Sequence, residues 1–129
     1  MGKIKKINGE IETGKNLKEI VIKVADFLKE RKATDILVMD MRGIVGYTDF
    51  FIICTTTSTV HTKSIVRDLD ELNSEIEIKP FTMNVDTNSP WVLIDYNFFI
   101  LHLFLEEGRR YYQLEKLWSD AEIIYHYKG

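Results

Sequence analysis

The segment from Trp91 to Trp118 constrains this chain more than any other. It reads Trp91-Val92-Leu93-Ile94-Asp95-Tyr96, then Phe98-Phe99-Ile100-Leu101-His102-Leu103-Phe104-Leu105, then Arg109-Arg110-Tyr111-Tyr112-Gln113-Leu114-Glu115-Lys116-Leu117-Trp118. Two runs rich in aromatic and branched residues predict two core strands, because such side chains fit a pleated, buried surface. A domain of 129 residues needs one apolar block of this kind as its nucleus. The polar residues scattered inside it are harder to explain by burial alone, and its Trp, Tyr and Arg residues suit core and interface equally.

At this length the chain fits one domain that buries roughly two-thirds of its unfolded surface and folds without staples. The apolar share of 45% and charged share of 29% are those of a soluble globular protein. One cysteine, Cys54, excludes an internal disulfide and a cysteine-cluster metal site. Its apolar neighbours make it a buried small hydrophobe rather than a nucleophile. The basic start is followed by no long apolar stretch and has Lys6 where a myristoylation signal needs Ser or Thr, so neither a secretory signal nor a lipid anchor is expected. The longest apolar run, Phe98 to Leu105, is far short of the ~20 residues that span a membrane. The expected compartment is the cytoplasm.

Net charge is −3, unevenly spread. Residues 1–33 carry +4, residues 34–90 carry −5 and residues 91–129 carry −2. An acidic body lacks the basic patch of a direct nucleic-acid grip. It suits a basic protein partner, whose approach complementary charge accelerates.

Along the chain, residues 1–16 show no clear period and predict a loosely ordered N-terminal segment. Asn16 precedes Leu17, Ile20, Val21, Val24 and Leu28, one face of a helix over 17–31, and with Glu19 has the form of a capping box. Asp35 to Met41 predicts a buried strand broken by Arg42-Gly43 and Gly46. Phe50 to Thr55 predicts its antiparallel neighbour. The hydroxyl run Thr55 to Thr59 leads into a second helix through about residue 74, with Ser58 or Thr59 as N-cap. Residues 77–90 hold both prolines and form the main loop. Strands over 91–96 and 98–104 turn tightly around Asn97. A short helix spans 106–112, one or two further helical turns carry Leu114, Leu117, Trp118 and Ala121, and the tail 123–129 either adds an edge strand or frays. The expected fold is a small α/β domain over 17–122, ordered α-β-β-α-β-β-α, with a four-stranded mixed sheet.

Catalysis finds little support. Asp40 and Asp49 close one strand and open the next, where they could approach and hold Mg²⁺ as strand-borne carboxylates of small nucleotidyltransferases do. Such enzymes also need a Gly-Ser phosphate grip and a strand-borne Asp-x-Asp pair. The sole Asp-x-Asp here, Asp68-Leu69-Asp70, falls within a helix. His102 lies among apolar strand residues, which favours a hydrogen-bonded core or partly buried histidine over a catalytic one, and His61 and His126 are isolated. No metal or cofactor is expected. The alternative function is a metal-dependent nucleotidyltransferase-like enzyme.

A binding module is better supported. Trp, Tyr and Arg dominate interface hot spots, and alternation puts Trp91, Leu93 and Asp95 on one side of their strand. These residues also carry a resemblance. Lys32-Ala33 with Asp35-Ile36, Asp40, Asp49-Phe50-Phe51-Ile52-Ile53, Ser58, Trp91-Val92-Leu93-Ile94-Asp95-Tyr96, His102-Leu103-Phe104, and Arg109 with Tyr112, Leu114-Glu115 and Leu117-Trp118 together resemble the ribosomal silencing factor, or Iojap-like, family over about residues 17–120. W-V-L-x-D, H-x-F and R-x-x-Y-x-L-E-x-L-W form a specific combination.

The resemblance implies a nucleotidyltransferase-like fold without catalytic residues. It implies binding to the fourteenth protein of the large ribosomal subunit, on the face that meets the small subunit. Blocked subunit joining then represses translation by steric exclusion. It implies a homodimer and at most peripheral ribosomal RNA contact. The partner-binding residues expected are Trp91, Asp95, His102, Arg109, Tyr112, Glu115 and Trp118, with Asp95 and Glu115 the carboxylates that burial would not explain. Two features depart from the family. No Glu-Gly pair precedes Trp91, and Asn97 stands where the family has Gly, which Asn can replace in a tight turn because it tolerates positive φ.

Overall fold

Three apolar runs too continuous to have a wet side, Thr34–Asp40, Phe50–Thr56 and Phe99–Leu105, form the centre of one sheet. Strands covered on both faces read this way. The computed structural model describes residues 16–81 and 85–129, with the backbone of two short strands besides. Those two, β1 (Lys6–Ile7) and β2 (Glu10–Ile11), pair antiparallel. The expectation of a loose segment over residues 1–16 otherwise falls outside the described residues, Asn16 excepted.

From Asn16 onward the order is α1 (Leu17–Glu30), β3 (Thr34–Asp40), β4 (Phe50–Thr56), α2 (Thr59–Ile76), β5 (Trp91–Asp95), β6 (Phe99–Leu105), α3 (Glu106–Tyr112), α4 (Leu114–Leu117) and β7 (Glu122–Tyr127). The main sheet runs β5-β6-β4-β3-β7. Its β4–β6 pair is parallel, and every other pair is antiparallel. The chain thus makes one parallel crossover through α2. The four-stranded expectation is corrected to five strands. Residues 122–127 form β7 on the free edge of β3, matching Asp40 with Glu122 and Ile36 with Tyr127. The pairing satisfies main-chain groups that buried β3 would otherwise leave bare.

Helix ends follow the chemistry of their caps. Asn16 Oδ1 accepts from the Lys18 amide at 2.8 Å, and Ser58 Oγ accepts from the His61 amide at 3.1 Å. After α1 the chain turns at Lys32 (φ +69°), with Ala33 N–H donating to Leu28 O and Lys32 N–H to Lys29 O. That pair of bonds is a Schellman motif. Asn97 takes φ +72° in the β5–β6 turn, as its residue type allows.

The sheet's two faces differ. Helices α1 and α2 cover the first with a large core that includes Val24, Leu28, Ile52, Leu69, Leu101 and Leu103. The second face has a smaller core of Met39, Met41, Phe51, Ile53, Phe104 and Leu114. Among the described residues it is covered by α3, α4 and the β3–β4 connection, whose Ile44 and Val45 pack onto it. Edge strand β5 is guarded against stray pairing. Ser89 Oγ bonds both the N–H and the C=O of Trp91, and the Phe81 amide donates to Asp95 O.

Helix α3 reaches the second face through Gly108. A Cβ there would lie 2.4 Å from the Pro90 carbonyl oxygen, the acceptor of the Leu105 amide at 3.0 Å. Gly108→Ala is expected to destabilise by about 1–3 kcal/mol, as overpacking does. The check is a lower urea midpoint at unchanged m-value; a wild-type midpoint would contradict the close approach.

Candidate partner-binding surface

Alternation along β5 puts Trp91, Leu93 and Asp95 on the second face and buries Val92 and Ile94 on the first. Cross-strand pairing sets Leu93 opposite His102. From these positions a chain of ring contacts crosses the sheet. Tyr47 meets Phe51 at 6.4 Å between centroids, Phe51 meets His102 at 4.6 Å, and His102 meets Trp91 at 5.8 Å. Trp91 then meets Tyr112 at 4.6 Å, and Tyr112 meets Tyr111 at 4.9 Å. The middle of this chain is buried and its ends are not. Tyr47 is 59% exposed and Tyr111 81%, while Leu93 and Tyr112 are 42% and 45% exposed beside the half-buried Trp91. Large apolar groups left in water side by side are the mark of a docking surface.

His102, expected among the partner-binding residues, is 2% exposed and lies beneath the surface. Surrounded by Phe51, Phe104 and Trp91, it serves from beneath. Trp91 Nε1 donates to His102 Nδ1 at 3.0 Å. An indole N–H can only donate, which makes Nδ1 the acceptor and puts the ring proton on Nε2. Burial pushes the imidazolium pKa down to about 3, so the ring is neutral at physiological pH. Between pH 3 and 6.5 the unfolded chain binds a proton at this residue that the folded chain refuses. The stability from His102 is therefore complete above pH 6.5 and is lost as pH falls toward 3, by at most about 1.4 kcal/mol per pH unit. Urea unfolding of wild type and His102→Leu from pH 7 to pH 4 checks this. The wild type is expected to lose stability faster than the variant, and parallel curves would contradict it.

Arg109, likewise expected at the partner surface, is also buried, at 6% exposure. Its Nε donates to Glu115 Oε2 at 3.0 Å, and its Nη1 donates to Asp35 O and Thr55 Oγ1, both at 2.8 Å. Nη2 lies 3.5 Å from Asp35 Oδ2. One guanidinium thus joins α3, α4, β3 and β4. Asp35 holds a left-handed backbone (φ +47°) where the β3–β4 register shifts, and its amide donates to Lys128 O at 2.8 Å. Strained residues persist where surrounding contacts determine them, and here the contacts come from Arg109 and the end of β7. Arg109→Met is expected to cost about 2–4 kcal/mol, because two carboxylates lose their cation and Asp35 O loses a charged donor. Chemical denaturation checks it; a loss below about 0.5 kcal/mol, the range of plain surface changes, would contradict the role.

The remaining expected residues divide. Tyr112 is exposed at the rim. Trp118 is half-buried and packs on the second core, so its ring is shared between support and surface. Glu115 is held by Arg109, which accounts for a carboxylate that burial had not explained. Asp95 Oδ1 accepts the Asn97 amide at 2.7 Å, so it stabilises the turn while lying at the rim. Asp35 and Thr55, which no sequence signal tied to Arg109, complete its cradle. Tyr47, from the β3–β4 connection, is the further exposed ring on this face.

Elsewhere, side chains suggested for chemistry are otherwise engaged. Asp40 forms a two-point pair with Arg42 at 2.9 and 2.7 Å, which holds its carboxyl below the usual range. Cys54 is buried, and desolvation pushes its thiol up to about 12. Among the described residues no group of three or more His, Cys, Asp or Glu is placed to hold a metal.

The family model described as "Ribosomal silencing factor during starvation" matches residues 14–128. This chain belongs to the ribosomal silencing factor family. The ribosomal silencing factor of Bacillus subtilis is 35% identical over 108 residues, covering 84% of this chain and 92% of the relative. The chloroplastic Iojap protein of Zea mays is 32% identical over 103 residues, 80% of this chain and 45% of that longer protein. A crystal structure from Bacillus halodurans superposes with a TM-score of 0.66 at 30% identity, covering 78% of this chain and 94% of that one. A Chromobacterium violaceum protein shares the fold, with TM-score 0.72 at 23% identity and coverages of 81% and 87%. In this silencing-factor chain the R-x-x-Y-x-L-E-x-L-W stretch is largely architectural. Arg109 and Glu115 pair, Leu114 is core, and Tyr112 and Leu117 carry the exposed part.

Proposed function

We propose that this protein silences ribosomes. It docks on the large ribosomal subunit through that subunit's fourteenth protein and blocks joining of the small subunit, which represses translation. The observation that carries the reading is the second face of the sheet. Leu93, Tyr112 and Tyr111 stand exposed beside Trp91 and Tyr47 at the other end of the ring chain, with Asp95 at the rim to meet a basic partner. Membership of the silencing-factor family supports it, and so does a body acidic over residues 34–129. Action is by occupancy, with no bond made or broken. In this reading a nucleotidyltransferase-like scaffold serves binding, with the Asp40 carboxylate committed to Arg42. The setting is the cytoplasm, the free protein pairs as a homodimer, and ribosomal RNA contact is peripheral.

Co-sedimentation with purified large subunits, followed by addition of small subunits, tests the reading. Wild-type protein is expected to sediment with large subunits and to lower the yield of whole ribosomes. Tyr112→Ala and Leu93→Glu are expected to weaken that binding at least tenfold, as hot-spot losses do, with folding stability changed by less than about 1 kcal/mol. Absence of wild-type binding at low salt, where charge contacts are strongest, would overturn the function.

A further inference from the structure

We propose that His102 is a positioning residue for the docking surface, whose Nδ1 locks the Trp91 indole in the orientation that the partner meets. The proposal rests on the docking reading above.

Its first support is what holds Trp91. Phe104 stacks on the indole at 5.2 Å with 25° between planes, and Tyr112 leans on it at 4.6 Å and 53°. Ring contacts of this kind limit tilt and leave the in-plane direction of the ring weakly determined. The single polar atom of the indole settles that direction, through its 3.0 Å bond to His102. A half-buried aromatic anchor fixed in advance loses little freedom when a partner arrives, and this slows dissociation.

The second support is the state of the other ring nitrogen. His102 Nε2 is buried with no hydrogen-bond partner among the described residues, in a ring packed against Phe51 and Phe104 and paired across the strands with Leu93. Since Nδ1 accepts from Trp91, Nε2 carries the proton and is an orphaned donor. An unmade bond at a buried donor is unfavourable. A leucine of similar volume would fill the same space without that loss, so packing does not account for a histidine here. The bond to Trp91 does. Because the ring stays neutral at physiological pH, the lock does not switch with ordinary changes of pH.

The test uses the full chain in four forms besides wild type: His102→Leu, which lacks the acceptor; Trp91→Phe, which lacks the donor; the double variant; and His102→Asn, whose Oδ1 stands where Nδ1 stood. Three quantities are read: hydrogen exchange of the Trp91 indole N–H in free protein, dissociation rate from purified large subunits, and unfolding midpoint. His102→Leu is expected to speed indole exchange and dissociation by roughly tenfold with a midpoint equal to or above wild type. His102→Asn is expected to recover part of both rates. Adding His102→Leu to Trp91→Phe is expected to change dissociation no further, the sign of one shared interaction. Wild-type exchange and dissociation in His102→Leu would overturn the positioning role while leaving the function intact. So would a binding loss that follows the midpoint and is not rescued by asparagine, which would make His102 purely structural. Wild-type protein that does not bind large subunits would overturn the function and the docking role together, whatever the indole exchange shows.

Discussion

The position of the C-terminal third depends on one buried guanidinium. Arg109 sits on α3, which is too short to hold itself on a sheet by propensity, and its partners lie far away in sequence at Asp35 and Thr55 and nearby at Glu115. A buried charge is tolerated only with such satisfaction. In satisfying it, the chain brings the start of β3, the end of β4 and the α3–α4 turn to one point. Gln113, between the two helices, takes a left-handed backbone (φ +46°). This short break carries Glu115 back onto Arg109 and leaves Tyr111 and Tyr112 at the rim. The surface is thus a consequence of the anchor beneath it.

The sheet divides labour between its faces. The first, under α1 and α2, holds most of the apolar core and supplies most of the burial that drives folding. The second is thinly covered, and its aromatic groups pass from buried Phe51, His102 and Phe104 through half-buried Trp91 to exposed tyrosines. Exposure of this much apolar ring surface works against solubility, and a partner that covers it removes the conflict. The edge of β5 is sealed at Trp91 and Asp95 by Ser89 and Phe81. In the proposed docking, side chains therefore contribute more than strand addition does.

Much of the fold was readable because local rules and burial agreed. Asn16 and Ser58 cap their helices, Asn97 makes its turn, and the β3–β4 and β5–β6 hairpins follow from short connections. β7 is not legible in the sequence because Glu122 to Tyr127 has little burial of its own; its reason to exist is the edge of β3, which no local pattern reveals. The site was less readable for the same kind of reason. As polar residues in an apolar stretch, His102 and Arg109 admit both a core and a partner-facing reading from sequence. Each is explained by a partner: Trp91, eleven positions away across a hairpin, and Asp35, 74 positions away. Glu115 looked unexplained until its cation was found. Trp91, Leu93 and Asp95 were legible as a set, since strand alternation alone puts them on one face.

In the proposed docking the second face, and not the helical one, meets the large subunit. Hydrogen exchange of the backbone amides, measured on the free protein and on the protein bound to purified large subunits, tests it directly. The account predicts that binding slows exchange in β5, α3 and α4 and in the connection bearing Tyr47, while α1 and α2 exchange as before. Slowing confined to α1 and α2, with β5 and α3 unchanged, would contradict it.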